Sequence, residues 1–402
     1  MGLRILHIST RLILGGSQEN VVLSCEGQTE LGHEVHLAFG PIYGPEGSML
    51  DRVSGWRSTD GRGIATHEVP DMVRELSPLR DRRCLRQLTD LIRELEPDIV
   101  HTHSSKAGIL GRMAAWKAGG KDGKLGVLHT VHGPPFHRYE KVWRNALYIA
   151  AERIAAKRCH AIISVCDAMT EQFLGEGIGT PEMFTTVRSG METGPYLEPM
   201  PDHERTQRRG ELGLQPNDLV IGTVSRISDL KGHDELIEAV APILREKPEM
   251  KLLWVGDGWL REPLQAKLHE LGLLDRVVVT GMVPPQDVPV LMKLMDVLVH
   301  PSYREGLPRA VVQGMLSGLP VIATDVDGTP EVCMHGETGL SYSPGDVDRL
   351  REHLLRVSED RVLREQLGER ARAHCRDTYS AQRMVDETQK VYARVLEGLR
   401  GR

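Results

Sequence analysis

The sequence predicts an α/β protein with two doubly wound domains, each a parallel sheet covered by helices on both faces. Three observations support this: a length of 402 residues, short apolar runs that alternate with helical patterns, and a turn-rich segment near the middle. A single hydrophobic core rarely grows beyond about 250–300 residues, so this length favours two domains. Continuous apolar strands separated by helices are typical of parallel sheets.

Ten strands are predicted, in two series of five, because each is a short apolar run next to a helical pattern. The first series covers residues 4–8, 34–38, 99–101, 127–131 and 161–165. The second covers residues 220–224, 251–255, 276–279, 297–300 and 321–323.

The segment 189–216 contains several Gly and Pro residues and a charged run, a composition that favours a linker. We therefore predict a first domain over residues 1–195 and a second over residues 196–378. Apolar residues at helical spacing predict a last helix over residues 379–399.

Composition excludes several classes of protein. The formal net charge of −6 provides no overall attraction to nucleic acid. Six cysteines without a C-x-x-C pair favour reduced thiols. The first strand follows Met1 closely, and no apolar run approaches 18 residues, so we expect neither a signal peptide nor a membrane span. A cytoplasmic protein is predicted.

The most informative segment is 297–324, where the pattern predicts strand, loop, a helix of about ten residues, and strand. Glu305 lies just ahead of that helix. The first turn of a helix has free N–H groups and a positive dipole end, which suit a phosphate, whereas a carboxylate accepts hydrogen bonds from hydroxyls. The combination predicts a nucleotide-sugar pocket.

Other loops follow strands of the two series. Gly15 and Gly16 stand at a strand-to-helix turn, where glycines permit positive φ and close approach to a ligand; a plain tight turn is the alternative. Arg226 and Lys231 follow the first strand of the second series and could neutralise a departing diphosphate, with two solvated surface charges as the alternative. Gly256 ends a further strand in the same way.

Histidines are concentrated in the first half of the chain. No carboxylates accompany them in a zinc pattern, so a metal site is not predicted. His132 differs from the others because it lies in the loop after a strand, although a histidine that caps a helix is the alternative. The histidines are His101, His103, His129, His132 and His137.

Two basic stretches are interrupted by acidic residues, which favours a solvated face. Peripheral contact with anionic lipid, at the inner face of a membrane, is the functional alternative. The stretches hold Arg80, Arg82, Arg83, Arg86 and Arg93, and then Arg138, Lys141 and Arg144.

Together these motifs resemble the retaining glycosyltransferases of family 4, also described as glycosyl transferases group 1, which have the GT-B fold. The resemblance extends over nearly the whole chain. The segments that carry it are 15–16, 98–104, 132–133, 222–231, 255–258, 281–283, 301–324 and 328–332.

The resemblance implies two Rossmann-like domains that face an interdomain cleft, with the C-terminal helix packed on the first. It implies catalytic roles for His132, Arg226, Lys231 and Glu305, and acceptor-side positions at His103, Ser104, His132 and Phe136. Metal-independent catalysis and no cofactor are also implied. The implied donor-binding residues are Gly15, Gly16, Arg226, Lys231, Gly256, Met282, Val283, Glu305, Gly306, Leu307, Pro308 and Gln313.

Two positions depart from the family pattern. Gln313 stands where the family has a second glutamate that binds the ribose, and a neutral amide predicts weaker ribose binding because charge-assisted hydrogen bonds are about twice as strong. Asp327 stands where glycine is common.

The predicted activity is transfer of a hexosyl or N-acetylhexosaminyl group, with retention, from a nucleoside-diphosphate sugar to an acceptor hydroxyl during glycan, polysaccharide or glycolipid synthesis. UDP-sugars are favoured because they are the family's commonest donors. The acceptor would be a glycan, a lipid-linked molecule or a small molecule. The alternatives are a GT-B epimerase or hydrolase that acts on the nucleotide sugar, and a non-catalytic protein that binds it.

Overall fold

The computed structural model describes residues 2–44 and 47–401. The chain forms two compact units: Met1–Met191 together with Ser380–Arg402, and Glu192–Tyr379. Each unit is built on one parallel sheet, as the sequence predicts. Among the described residues, no helix combines the length and the apolar character that crossing a bilayer requires.

The first unit contains a seven-stranded sheet in the order β3-β2-β1-β4-β5-β6-β7, with every pairing parallel. The strands are β1 Arg4–Arg11, β2 Glu34–Gly40, β3 Ala65–Glu68, β4 Ile99–His103, β5 Gly126–Val131, β6 Ala161–Ser164 and β7 Phe184–Thr186. The helices between them are α1 Gly16–Glu30, α2 Leu50–Gly55, α3 Pro78–Leu95, α4 Ser105–Ala118, α5 Val142–Ala156 and α6 Asp167–Gly175.

Helix α4 lies very close to the sheet because glycines face it. A Cβ on Gly108 would stand 2.4 Å from His129 Cε1, and one on Gly111 would stand 2.7 Å from Thr102 Cγ2. Both distances are far below van der Waals contact. The two glycines therefore set the depth of α4 against β4 and β5.

The second unit contains a six-stranded parallel sheet in the order β10-β9-β8-β11-β12-β13. The strands are β8 Leu219–Val224, β9 Met250–Val255, β10 Val277–Val279, β11 Val297–His300, β12 Val321–Thr324 and β13 Leu340–Tyr342. The helices, in chain order, are α7 Gly194–Leu197, α8 Asp202–Glu211, α9 His233–Glu246, α10 Arg261–Glu270, α11 Val288–Lys293, α12 Arg309–Leu316, α13 Val347–Glu359 and α14 Arg361–Thr378.

The predicted linker 189–216 is partly helical, since it contains α7 and α8. The charged run of this segment includes Arg209 of α8, which is only 1% exposed. Its guanidinium donates to the carbonyl oxygens of Leu294 and Asp218 and to the carboxylate of Asp296, at 2.7–3.0 Å. These hydrogen bonds compensate the burial of the charge.

The last helix, α15 Ala381–Arg400, belongs to the first unit. Its apolar face joins the core beneath β1, β4 and β5, where Val391 and Val395 share a cluster with Ile5, Ile99 and Leu128. The core of the first unit is therefore completed by residues from the far end of the chain.

Candidate functional site

A buried cluster of charged and polar side chains stands at the carboxyl ends of β8 and β11 in the second unit. Lys231, in the loop after β8, places Nζ 2.5 Å from Glu305 Oε1 and 3.2 Å from Ser302 Oγ. His300, the last residue of β11, places Nε2 2.9 Å from the same Glu305 oxygen. Strand order reverses between β8 and β11, and ligands of open α/β sheets bind at such a point.

Burial and charge act in opposite directions on Glu305, whose side chain is 13% exposed. Burial raises the pKa of its carboxyl, but Lys231 and His300 outweigh burial and hold that pKa well below its usual range. Glu305 is therefore an ionised, buried hydrogen-bond acceptor. Lys231 is already ion-paired with it, so a phosphate would have to share or replace that partner.

Glycine is required at two loops beside the cluster. Gly232 has φ +68°, and a Cβ there would lie 1.9 Å from the Pro301 carbonyl oxygen. Gly256 has φ +137°, and a Cβ there would lie 2.1 Å from the Ser225 carbonyl oxygen. A side chain would clash with backbone at both positions, so these glycines allow the loops after β8, β9 and β11 to approach closely.

Asp327 has a structural role that the sequence did not reveal. Its Oδ2 accepts a hydrogen bond of 2.8 Å from the Glu305 backbone N–H, across 22 residues. Its φ of +47° explains why glycine is favoured at this position, since Asp is one of the few other residues that tolerate the left-handed region. The carboxylate thus anchors the loop that carries Glu305.

The predicted helix after Glu305 is present as α12, with eight residues rather than about ten, and Pro308 precedes it as N-cap. Leu307 is 6% exposed and Pro308 is buried, so only their backbone could contact a donor. Gly306 and Gln313 are half-buried. Gln313 lies in the second turn of α12.

The remaining predicted donor residues of this unit lie closer to solvent. Arg226 follows β8 and its side chain is exposed. Met282 is 61% exposed, and Val283 is half-buried. An isolated pairing of Gly256 with Gly281 holds the β9 and β10 loops side by side.

The glycine turn of the first unit differs from the prediction in one respect. Gly15 has φ 177°, which is extended backbone, and Gly16 opens α1. Neither has a positive φ among the described backbone angles, so positive φ does not explain these glycines. Both are exposed, so their backbone remains accessible to a ligand.

The histidines of the first unit form a hydrogen-bonded chain. Gln28 Oε1 lies 2.7 Å from His7 Nε2, His7 Nδ1 lies 2.9 Å from His103 Nε2, and His103 Nδ1 lies 3.1 Å from His132 Nε2. Burial lowers the pKa of His7 to about 4, although the Gln28 hydrogen bond opposes it. Burial likewise holds the pKa of His103 well below its usual value. Both rings are therefore neutral near pH 7, with one proton each.

The residue at one end of such a chain, Gln28, determines the tautomer of each neutral ring along it. Gln28 Nε2 donates to the Tyr392 hydroxyl at 3.2 Å, so Gln28 Oε1 accepts from His7 Nε2–H. His7 Nδ1 must then accept from His103 Nε2–H, and His103 Nδ1 from His132 Nε2–H. The chain therefore places the proton of a neutral His132 on Nε2 and leaves Nδ1 as its accepting nitrogen.

His7, His101 and His103 also stand close enough to hold a metal ion, with one ring nitrogen from each within 4.8 Å of the others. Each ring nitrogen of the three is already hydrogen bonded, those of His101 to the Tyr392 hydroxyl at 2.6 Å and to Thr130 Oγ1 at 2.7 Å. The hydrogen bonds satisfy this group without an ion.

Two of the predicted acceptor-side residues have buried side chains. His103 is 1% exposed and Phe136 is 7% exposed against Phe173, so neither side chain is open to an acceptor in this structure, and their acceptor-side roles stay predictions. His103 can act only through His132, which is half-buried. Ser104 is half-buried, has φ +61°, and its hydroxyl lies 2.8 Å from Thr10 Oγ1.

Sequence reasoning missed His300, His7, Gln28 and the role of Asp327. A histidine at the last position of a predicted strand, as at residue 300, was a usable signal because such positions face ligand sites. The other three act through contacts between residues far apart in the chain, which one sequence does not reveal.

Comparisons with known proteins identify the family of this chain. A family profile described as Glycosyltransferase Family 4 matches residues 14–186, and one described as Glycosyl transferases group 1 matches residues 204–374. The UDP-Gal:alpha-D-GlcNAc-diphosphoundecaprenol alpha-1,3-galactosyltransferase of Escherichia coli is 30% identical over 298 residues, which are 73% of this chain and 75% of that protein. The chain belongs to glycosyltransferase family 4. The predicted family is confirmed.

Solved structures of low sequence identity share the fold of this family 4 chain. HepE of Anabaena, in complex with UDP, superposes with a TM-score of 0.79 at 20% identity, over 97% of this chain and 100% of that one. Sucrose-phosphate synthase of Thermosynechococcus elongatus gives a TM-score of 0.80 at 18% identity, over 98% and 100%. The predicted GT-B fold is confirmed.

Proposed function

We propose that this protein transfers a hexosyl or N-acetylhexosaminyl group from a UDP-sugar to an acceptor hydroxyl, with retention at the anomeric carbon. Membership of family 4 supports the class of reaction. The name of the Escherichia coli relative contains UDP-Gal, and HepE has been solved with UDP-glucose; both support a uridine donor.

The observation that carries the proposal is the buried cluster of Lys231, Glu305 and His300. Glu305, ionised and buried, would accept hydrogen bonds from the hydroxyls of the transferred sugar. Lys231 Nζ, now 2.5 Å from Glu305, would turn toward the diphosphate as charge develops on it. Arg226, exposed on the same loop, and the N–H groups at the start of α12 would share that charge.

In the proposed reaction, the acceptor hydroxyl attacks the anomeric carbon on the face from which the diphosphate departs. The bond from the anomeric carbon to the phosphate oxygen breaks, the new glycosidic bond forms, and the leaving oxygen takes the hydroxyl proton. The protein contributes positioning and charge stabilisation. Two cations and a helix terminus would serve where other transferases use a metal ion.

His132 would bind a hydroxyl in the first unit. The histidine chain assigns its proton to Nε2, so Nδ1 would accept a hydrogen bond from the sugar or the acceptor. His7, His103 and Gln28 would thereby position His132 without touching the ligand themselves.

Ligand stabilisation and donor turnover test the proposal. Because ligands that bind the native state raise its apparent stability, UDP should raise the melting temperature more than GDP or ADP. Incubation of UDP-sugars with candidate acceptors, with and without EDTA, should give an α-linked product from an α-linked donor by NMR. A β-linked product would refute retention, and loss of activity in EDTA would refute metal independence.

Incubation of the donor without an acceptor separates the alternatives. Rapid epimer or free sugar formation would favour the epimerase or hydrolase. Tight UDP-sugar binding without turnover across many acceptors would favour a non-catalytic binding protein.

A further inference from the structure

A cavity of about 490 Å³ opens in the first unit at the carboxyl ends of β1 and β4. Strand order reverses between these two strands, which is where ligands bind open α/β sheets. Its wall is mainly apolar, and it is formed by Leu76 ahead of α3, by α4, and by one face of α5. The apolar lining comprises Leu76, Ile109, Leu110, Pro135, Leu147, Tyr148 and Ala151.

Cationic side chains line the same cavity. Arg11, Arg74 and Lys106 are part of its lining, together with the hydroxyl-bearing Ser104 and Ser105. Lys106 forms an ion pair of 2.6 Å with Asp81, and the Arg74 side chain is exposed. An apolar wall beside cations matches an amphiphile that joins a hydrocarbon chain to a phosphate.

The surface around the cavity is unusually apolar. Six large apolar side chains that are at least 41% exposed lie in two short segments, 76–79 and 139–147, at the starts of α3 and α5. Isolated apolar residues on a surface are normal, but a cluster beside a cavity marks an interaction site. The six are Leu76 68%, Leu79 75%, Tyr139 41%, Val142 85%, Trp143 61% and Leu147 47%.

The same two segments are basic. Residues 74–86 and 138–144 contain eight Arg and Lys residues and three acidic ones, in a chain whose net charge is −6. Guanidinium groups lie beside the aromatic rings, Arg138 4.8 Å from the Tyr139 ring and Arg144 5.3 Å from the Trp143 ring. Aromatic, apolar and basic side chains together are the composition of surfaces that enter the headgroup region of an anionic bilayer.

We propose that this face docks on an anionic lipid bilayer, and that the cavity receives the phosphorylated lipid that carries the acceptor hydroxyl. The proposal rests on the transferase function above and specifies its acceptor as a lipid phosphate. Each basic residue near an anionic surface contributes about 1 kcal/mol, so the charge excess supports reversible docking without a membrane span.

Vesicle binding tests the docking surface with a matched pair of variants. Val142 and Val362 are both highly exposed valines, at 85% and 61%, but only Val142 lies in the basic, apolar face. We expect the protein to sediment with vesicles of 30% phosphatidylglycerol in phosphatidylcholine and not with pure phosphatidylcholine. Val142→Asp should lower the bound fraction at least threefold, and Val362→Asp should leave it unchanged. Equal binding of both variants, or no binding of the unmodified protein, would overturn the docking surface.

A second matched pair tests the cavity. Ala151 lines it, whereas its neighbour Ala150 is exposed on α5. With farnesyl phosphate as probe, Ala151→Trp should weaken binding at least tenfold and Ala150→Trp less than twofold, both measured by calorimetry. Equal affinities in the two variants, or no binding of the probe to the unmodified protein, would overturn the cavity assignment.

UDP binding, measured on the same samples, distinguishes failure of the lipid inference from failure of the proposed function. Retained UDP binding with failed lipid binding refutes only this inference. If the unmodified protein does not bind UDP, the proposed function is refuted instead.

Discussion

The first unit buries polar side chains in their neutral form, whereas the second buries them in their ionised form. In the first unit, imidazoles are held neutral and joined end to end, from Gln28 through His7 and His103 to His132. In the second unit, an ionised Glu305 is held between Lys231 and His300. Both groups lie at the carboxyl ends of parallel strands or extend to them.

The difference shows how burial selects the kind of interaction. A neutral chain is directional, since each ring has one donor and one acceptor, and it therefore sets where a proton resides. An ion pair is less directional, and an incoming anion can compete for its cation. We expect the first unit to contribute orientation and the second to contribute charge.

The largest expected effect comes from breaking the charged cluster. Lys231→Ala should lower turnover by roughly 10²–10³, the usual loss when one preorganised donor to a developing anion is removed. The measurement is kcat with a UDP-sugar at saturating acceptor. Lys267→Ala is the matched control, because Lys267 forms an ion pair with Asp234 at the surface. Near-normal turnover in Lys231→Ala would contradict the role of the cluster.

Acid should destabilise the first unit more than the second. Burial lowers the pKa of His7 to about 4, whereas an unfolded histidine titrates near 6.5. As pH falls from 6.5 to 4, the unfolded state binds a proton that the folded state does not, so the first unit loses stability, on the order of 3 kcal/mol for His7 alone. His101, His103 and His129 shift in the same direction.

The second unit contains opposing groups. Burial and nearby Lys231 lower the pKa of His233 to about 4, but burial raises that of Glu235 to about 7. Folded Glu235 gains a proton below pH 7 that the unfolded state gains only near 4.3, so it adds stability as pH falls and offsets His233. The depressed pKa of Glu305 keeps its carboxylate ionised at pH 5.

Hydrogen exchange at pH 7 and pH 5, corrected for intrinsic rates, measures this difference. Protection should fall in β1, β4 and β5 and hold in β8, β9 and β11. Equal losses in both sheets would show that the neutral histidines do not limit acid stability.

Removing the end of the histidine chain should have a smaller effect. Gln28→Leu deprives His7 Nε2 of its acceptor and no longer determines the tautomer of His132. His132 would then present an accepting Nδ1 only part of the time, so kcat should fall roughly tenfold, about 1.4 kcal/mol of transition-state stabilisation. The donor KM should not change. Gln28→Glu keeps an acceptor at His7 and should recover most of kcat. Identical kcat values for the Leu and Glu variants would contradict the positioning role.

The smallest expected effect concerns the ribose. Gln313→Glu introduces a charged acceptor on α12, and the difference between charged and neutral hydrogen bonds, about 1 kcal/mol, predicts a donor KM roughly fivefold lower. Gln366→Glu, on the exposed side of α14, is the control. An unchanged donor KM in Gln313→Glu would remove the proposed ribose contact.

The ten predicted strands are present. They were predictable because buried parallel strands are continuous apolar runs. The three strands that the prediction missed, β3, β7 and β13, are three or four residues long and lie at the edges of the sheets. All four residues of β3 are at least partly exposed, so no apolar run marks it.

The candidate site was only partly predictable. Glu305 and Lys231 stood out because their loops follow predicted strands. Their contact joins residues 74 positions apart, and the contact of His7 with His103 joins residues 96 positions apart. Such pairings arise from the packing of strands side by side, which periodicity along one strand does not reveal. The helix α8 was missed because its sequence contains no large apolar side chain, so no apolar spacing marks it. Its buried residue is the charged Arg209.

Helix α15 has a consequence for biosynthesis. During translation, β1, β4 and β5 emerge from the ribosome long before Val391, Tyr392 and Val395, which share their core. The hydroxyl of Tyr392, which orients Gln28 and contacts His101, also arrives late. The nascent first unit therefore keeps part of its apolar interior uncovered until residues 381–400 have been synthesised, and we expect it to need chaperones most before that point.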